Sequence, residues 1–290
     1  MKWILLFALF VFLTGCEKSI DFDLEESEPK LVVEATIENG VPPIVVLSSS
    51  LNYFSRLSPQ ILAESFVHDA VVRISNGDKT HQLKEYAVPL GSNIFIYYYS
   101  IDSADLSTAF TGELNKSYTL QVVSKGEEYR ATTEIGAFNK RIDSVWFKPR
   151  PGDSSEVSVL VKATDPAGFG DYVRYWTKIN RGPLLPGFAS VYDDFIIDGT
   201  TYELEVEPGV DRNDIRDGEE RAFKRGDTVT LKLSSIGKAT YDFWRTMEYT
   251  YASVGNPFSS PIKVTSNISN NALGYFGGYA SQYRTIIIPK

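Results

Sequence analysis

Short runs of alternating apolar and polar residues, separated by turn sequences, cover most of the chain from residue 31 onward. The alternation has the period of two that a half-buried strand requires. The first half contains predicted strands at residues 31–37, 44–48, 70–75, 81–83, 94–99, 118–123 and 128–135. Turn signals such as Asn39-Gly40 stand between them. Strands at this spacing without helices predict an immunoglobulin-like β-sandwich over residues 31–136.

A second series of strands begins after residues 136–140, which we interpret as a boundary. Its predicted members are residues 143–149, 156–164, 171–180, 195–197, 202–206 and 228–233. The intervening residues 181–227 are rich in Gly, Pro and Asp, so we expect long loops there, and residues 51–69 form a similar loop in the first half. The chain is therefore predicted to be mainly β, with two β-sandwich-like domains, the second over residues 142–290.

One segment, residues 238–252, has the period of a helix. Its apolar residues recur every four positions, with Trp244 beside them: Ala239, Phe243, Met247 and Tyr251. Ser235 is a candidate N-cap, and Gly255 is a stop signal. This pattern predicts one amphipathic helix in the C-terminal part, packed by its stripe against a sheet. A ligand-binding surface is the alternative interpretation of the stripe.

The N-terminus carries a processing signal. Residues 3–13 are an apolar run behind Lys2, and this run is too short to span a bilayer. The following Leu13-Thr14-Gly15-Cys16 resembles the lipobox of bacterial lipoproteins, in which the cysteine is lipidated and becomes the new N-terminus. Cys16 is the single cysteine of the chain. We therefore predict a signal peptide at residues 1–15 and lipid attachment at Cys16; an ordinary secretory signal is the alternative.

Residues 16–30 are predicted to be a lipid anchor followed by an acidic tether. Eight of the fourteen residues from 17 to 30 are charged, and six of these are acidic. An acidic stretch at this place resembles the surface-export signal of Bacteroidota lipoproteins, so we expect the outer membrane with display on the cell surface. A solvated spacer is the alternative. Loss of Lys2 leaves 28 basic and 37 acidic side chains, which argues against nucleic acid as a partner.

Several segments resemble a family of Bacteroidota outer-membrane lipoproteins known as domain of unknown function 4249. They are CEKSIDFDL, EPKLVVEATIENG, AVVRIS, NKSYTLQVVSKGEEYRATTEI, RIDSVWF, DDFIIDGTTYELEV, KRGDTVTLKLSSI, ATYDFWRTME, NPFSSP and NALGYFGGYA. Residues 126–132 also resemble the last hairpin of the prealbumin-like, carboxypeptidase-regulatory-like modules found on TonB-dependent transporters. The resemblance implies an envelope role near such a transporter, and it supplies no reaction.

Residues suited to catalysis or metal binding are sparse. No G-x-S-x-G motif is present, and the two histidines, His68 and His81, are expected to be solvated surface residues. The acidic stretch 211–220, with Asp193-Asp194 upstream, fails the EF-hand pattern at Ile215 and Arg216. No metal site, cofactor or catalytic residue is predicted, although a calcium role for this stretch and a pair of catalytic carboxylates both stay open.

The aromatic residues near the C-terminus are the strongest candidates for contact with a ligand or partner. Tyr275, Phe276 and Tyr279 lie among glycines in LGYFGGYA. Closure of the second domain's core is the alternative role. We predict a non-enzymatic binding or uptake accessory of a TonB-dependent transporter, acting on a glycan, peptide or other nutrient. The alternatives are a carboxylate-dependent surface hydrolase and a structural or adhesive surface protein.

Overall fold

The computed structural model describes residues 28–52, 58–91, 94–212, 222–256, 258–260 and 262–290. The predicted signal peptide, Cys16 and most of the acidic tether lie outside the described residues, and so does 213–220 of the acidic stretch. In the described part, no helix is long and apolar enough to span a membrane.

The mainly β class is confirmed. The helices are α1 (Pro59–Glu64) and α2 (Lys238–Ser253). The strands are β1 (Leu31–Glu38), β2 (Ile44–Ser49), β3 (Val71–Ser75), β4 (Thr80–Gln82), β5 (Lys84–Gly91), β6 (Ile94–Ser100), β7 (Lys116–Ser124), β8 (Glu127–Ile135), β9 (Arg141–Arg150), β10 (Asp153–Thr164), β11 (Tyr172–Ile179), β12 (Leu185–Tyr192), β13 (Thr201–Val206), β14 (Phe223–Lys224), β15 (Thr228–Ile236) and β16 (Leu273–Ile287).

One eight-stranded sheet runs through both predicted domains. Its order is β12-β11-β15-β16-β1-β2-β6-β5, so the C-terminal strand lies beside the first strand of the described chain. Strand β16 pairs in parallel with β1 and antiparallel with β15. The large sheet therefore contains strands from both sides of the boundary predicted at residues 136–140.

Two smaller sheets cover the same face of the large sheet. The sheet β4-β3-β7-β8 shares an apolar core with β1, β2 and β16, whereas β10 and its partners β9, β13 and β14 pack on β11 and β15. Each half of the large sheet thus forms a sandwich with one small sheet, as the prediction of two β-sandwich-like units requires. Helix α2 lies against the opposite face, over β11, β12 and β16.

Glycines allow β16 to approach its neighbours closely. Gly274 has a φ of +93°, and a Cβ there would lie 2.0 Å from the carbonyl oxygen of Val33. A Cβ at Gly278 would lie 2.2 Å from the carbonyl oxygen of Glu134 on β8. Since neither backbone atom can yield, only glycine fits at these two positions.

Several local predictions were wrong. Strands β12 and β16 occupy segments that lacked a predicted strand, and the predicted strand 195–197 is a turn. Helix α1 begins inside the predicted loop 51–69. The N-cap of α2 is Gly237, not Ser235, which lies in β15. The buried face of α2 contains Phe243 and Glu248, whereas Ala239 and Tyr251 at the ends of the predicted stripe are exposed.

Candidate functional site

The three aromatic residues predicted to contact a ligand are all buried in the core. Tyr275 and Tyr279 point towards α2, where the ring of Tyr275 stacks on Phe243 at 4.4 Å between centroids. The indole nitrogen of Trp244 donates a hydrogen bond to the hydroxyl of Tyr279 at 3.1 Å. Phe276 faces the opposite side of β16, inside the first sandwich. Their burial favours the alternative, core closure, over direct contact with a partner.

The two histidines differ in exposure. His68 is exposed and pairs with Glu85, as expected for a surface residue. His81 is buried, so the prediction that it is solvated was wrong. Its Nε2 accepts a hydrogen bond from the backbone amide of Asp102 at 3.3 Å, which leaves Nδ1 to donate to the hydroxyl of Thr108 at 2.9 Å. The buried ring of His81 therefore fixes the loop after β6.

Three aspartates converge where several strands end, and we refer to Asp165, Asp171 and Asp194 as the aspartate cluster. Asp165 follows β10, Asp171 precedes β11, and Asp194 follows β12 by two residues. One carboxylate oxygen from each residue lies within 4.8 Å of the other two. Asp165 and Asp194 are only 2% and 3% exposed. The fold thus concentrates negative charge in a nearly dry position.

A fully buried lysine approaches this cluster. Lys140 precedes β9, and its Nζ lies 3.1 Å from Oδ1 of Asp165. Neither Nζ nor either carboxylate oxygen of Asp165 has a hydrogen bond in the described part of the chain. Gln282 of β16 fixes the segment, since its side-chain amide donates to the carbonyl of Lys140 at 2.5 Å and accepts from the amide of Ile142 at 3.1 Å.

Asp194 ties the two loops of the cluster together. Its Oδ2 accepts hydrogen bonds from the backbone amides of Gly170 and Asp171 at 2.8 and 3.0 Å. Asp198, in the same loop as Asp194, likewise accepts from the amide of Gly168 at 2.6 Å. Loops 165–171 and 193–200 are therefore held in one fixed arrangement.

The two ends of this network have opposite pKa shifts. Burial, together with the negative charges of Asp165 and Asp194, raises the pKa of Asp171 above its ordinary value, against the opposing effects of Lys140 and Asn139. For Asp194, burial also disfavours ionisation, but the amides of Asp171 and Gly170 outweigh it and lower the pKa. Repulsion between the carboxylates of the cluster therefore raises mainly the pKa of Asp171.

Large apolar side chains occupy the tips of the same two loops. Phe169, Phe195 and Ile196 are 73%, 78% and 90% exposed, and we refer to them as the apolar tips. The rings of Phe169 and Phe195 lie 6.4 Å apart between centroids. The two loops therefore bury carboxylates and expose apolar side chains to solvent.

A family model described as Domain of unknown function (DUF4249) matches residues 17–285. The chain belongs to this family. The match covers every element of the DUF4249 fold described above except the end of β16, including both loops of the aspartate cluster. Membership supplies no activity, because the family is defined by an unknown function.

Known proteins add little to the family assignment. The chain is similar to the crystal structure of a DUF4785 family protein from Legionella pneumophila subsp. pneumophila str. Philadelphia 1, with 15% identity and a TM-score of 0.22. The aligned region covers 71% of this chain and 51% of that chain, so the chain spans about half the length of that structure. A TM-score this low supports no argument. No curated protein matches the chain.

Sequence reasoning missed the aspartate cluster as a unit. Asp165 lies between the predicted strands 156–164 and 171–180, Asp194 was named only with the acidic stretch 211–220, and Lys140 lies at the predicted boundary, residues 136–140. The one signal available was the repeated placement of an aspartate next to a predicted strand end. Of the stretch 211–220 itself, Arg212 lies in the described part, and its guanidinium donates to the carbonyl of Phe188 at 3.0 Å.

Proposed function

We propose that this DUF4249 chain is a lipid-anchored envelope protein that binds a protein partner without turnover, through the apolar tips. The observation that carries the proposal is the exposure of Phe169, Phe195 and Ile196 on neighbouring loops. Exposed clusters of large apolar side chains on soluble domains mark interaction sites. The partner we propose is a TonB-dependent transporter of the outer membrane, on the strength of the lipobox at Cys16 and the module resemblance of residues 126–132.

The rigidity of the supporting loops favours this role. Backbone amides in loop 165–171 bond to Asp194 and Asp198, so the tips do not depend on their own packing to stay in place. A fixed surface loses little conformational entropy on association. Aromatic side chains also supply contact area at a small entropic cost. Binding groups on loops held by a rigid scaffold are the usual arrangement for recognition.

Catalysis by the aspartate cluster is the competing function. The opposite pKa shifts of Asp171 and Asp194 are of the kind that separates an acid from a base. However, Asp165 and Asp194 are almost completely buried, and Oδ2 of Asp194 is occupied by two amides. The bond to be hydrolysed in a substrate would have to enter this packed site to contact two carboxylates. We therefore favour binding over hydrolysis.

Membrane attachment is tested by replacing the anchor residue. Cys16→Ala should release the chain from the membrane fraction, because no other position carries a lipobox. Labelling with a palmitate analogue should mark the native chain and leave the variant unlabelled. An unlabelled native chain would refute the lipid anchor, and the partner surface would then need a different membrane context.

The partner surface is tested by a triple variant, Phe169→Ser with Phe195→Ser and Ile196→Ser. It should fold with unchanged thermal stability, since all three side chains are exposed. It should also lose co-purification with the transporter. Phe258→Ser is the matched control, because Phe258 is equally exposed but lies beyond α2. Undiminished co-purification of the triple variant would overturn the proposal, and hydrolysis of an offered glycan or ester would favour the enzyme.

A further inference from the structure

We propose that the aspartate cluster binds one calcium ion. Three carboxylates and the single ammonium of Lys140 leave two negative charges in a buried position when all four groups are ionised. Uncompensated charge in a low-dielectric interior is costly, and one divalent cation cancels this excess completely.

The cluster offers oxygen atoms that the protein itself leaves without hydrogen bonds. Both carboxylate oxygens of Asp165 are buried and accept none from the described residues, although Oδ1 faces Lys140. The amides of Gly170 and Asp171 both bind Oδ2 of Asp194, so neither of them occupies Oδ1. Asn139 donates to Oδ1 of Asp171, so Oδ2 is available there. A buried carboxylate normally has partners, and Asp165 Oδ2 has the disposition of a metal ligand.

The donor set selects for calcium. All three ligands are carboxylates, and hard oxygen donors suit calcium and magnesium, not zinc or copper. Two oxygens bound to one calcium at about 2.4 Å lie at most about 4.8 Å apart, and the cluster oxygens meet this limit. Calcium also accepts irregular geometry and a variable number of oxygen ligands, whereas magnesium requires a near-ideal octahedron with shorter metal–oxygen distances. Lys140 holds Asp165 in place as a positioning residue.

The ion would join the two loops that carry the apolar tips. Asp165 and Asp171 flank loop 165–171, and Asp194 begins the turn that contains Phe195 and Ile196. Calcium would therefore link the two loops in addition to the hydrogen bonds that already connect them. The site does not depend on the identity of the partner, since Asp165 and Asp194 are buried and Asp171 is half-buried, whereas the tips are exposed.

Calorimetry with the purified full chain tests the site. After treatment with EDTA and exchange into chelator-free buffer, titration with CaCl2 should show one ion bound per chain, and saturating calcium should raise the melting temperature by about 5 °C. Asp171→Asn should weaken calcium binding by at least about tenfold. This variant keeps the acceptor for Asn139, so its fold should persist. Asp198→Asn is the matched control: it makes the same chemical change in the neighbouring loop and should leave calcium affinity unaltered.

Three results would overturn the proposal. One is an equal melting temperature in CaCl2 and in EDTA. A second is calcium binding by Asp171→Asn at the native affinity, which would place the ion elsewhere, for example in the acidic stretch 211–220. The third applies if circular dichroism shows that Asp171→Asn does not fold. Asp194→Asn then replaces it in the titration, and calcium binding by that variant at the native affinity would overturn the proposal.

Discussion

The space beneath α2 and the loop end that carries the aspartate cluster distribute their side chains in opposite ways. Beneath α2, the aromatic rings of Phe243, Tyr275 and Tyr279 are inside, and the buried carboxylate of Glu248 accepts hydrogen bonds from the amide and hydroxyl of Ser190. At the loop end, Asp165, Asp194 and Lys140 are inside, and the apolar tips face solvent.

Only the first arrangement is what folding alone favours, because apolar burial stabilises and charge burial does not. A region that reverses this distribution costs stability, and such a cost persists where it serves a function. The contrast therefore places the aromatic cluster in the core and favours the loop end for the binding that we propose. Each prediction below changes one side of that contrast.

The largest effect should come from the core. Phe276→Ala removes a ring that is completely buried between β1 and β8, and we expect it to lower the free energy of unfolding by about 4 kcal/mol. Urea denaturation followed by tryptophan fluorescence measures this. Phe258→Ala, at a highly exposed phenylalanine, should cost less than about 0.5 kcal/mol. Similar midpoints for the two variants would mean that residue 276 is not in the core.

A somewhat smaller effect should follow from breaking the buried pair. Lys140→Met keeps the length of the side chain but leaves Asp165 without its cation, and we expect a loss of about 3 kcal/mol in EDTA. Added CaCl2 should recover more stability in this variant than in the native chain, because the cluster then carries three negative charges. A variant as stable as the native chain in EDTA would show that Lys140 and Asp165 are not coupled.

The fold was predictable where its signal is local. Alternating strands such as β1 and β15 were found because period two is visible in their own residues. Strand β16 was missed because its glycines, required by the carbonyls of Val33 and Glu134, interrupt that alternation. The pairing of β1 with β16 joins residues some 240 positions apart in sequence, and no pattern within either segment encodes it.

The same limit applies to the candidate site. Asp165, Asp171, Asp194 and Lys140 come from the ends of four different strands, so their meeting depends on sheet order. Sequence reasoning placed function in the second half of the chain and on its loops, as the present proposal does. It chose Tyr275 and Phe276 because aromatics among glycines look available, whereas the glycines there serve close strand packing.

The smallest effect should come from the partly exposed pair of His68 and Glu85. Burial alone would raise the pKa of Glu85, but hydrogen bonds from His68, Tyr99 and the amide of Asp69 outweigh it, so the pKa is lowered from 4.5. A depressed folded-state pKa gives stability that is present above the unfolded value and is lost as the pH falls. Glu85→Gln should therefore cost less than about 1 kcal/mol at pH 7, and this cost should diminish as the pH falls below 4.5 towards the lower pKa of the folded state.

Urea midpoints of Glu85→Gln and the native chain between pH 3.5 and 7 measure this cost. A difference between the two proteins that stays constant across the range would contradict an ionised, stabilising Glu85.

Site-specific photo-crosslinking in whole cells tests the central claim, that the apolar tips are the partner surface. A photoreactive phenylalanine analogue at position 195 should give one crosslinked product whose partner, identified by mass spectrometry, is a TonB-dependent transporter. The same analogue at position 106, an exposed leucine in the first half of the chain, should give no such product. Equal crosslinking from both positions, or none from position 195 while position 106 captures the transporter, would contradict the account.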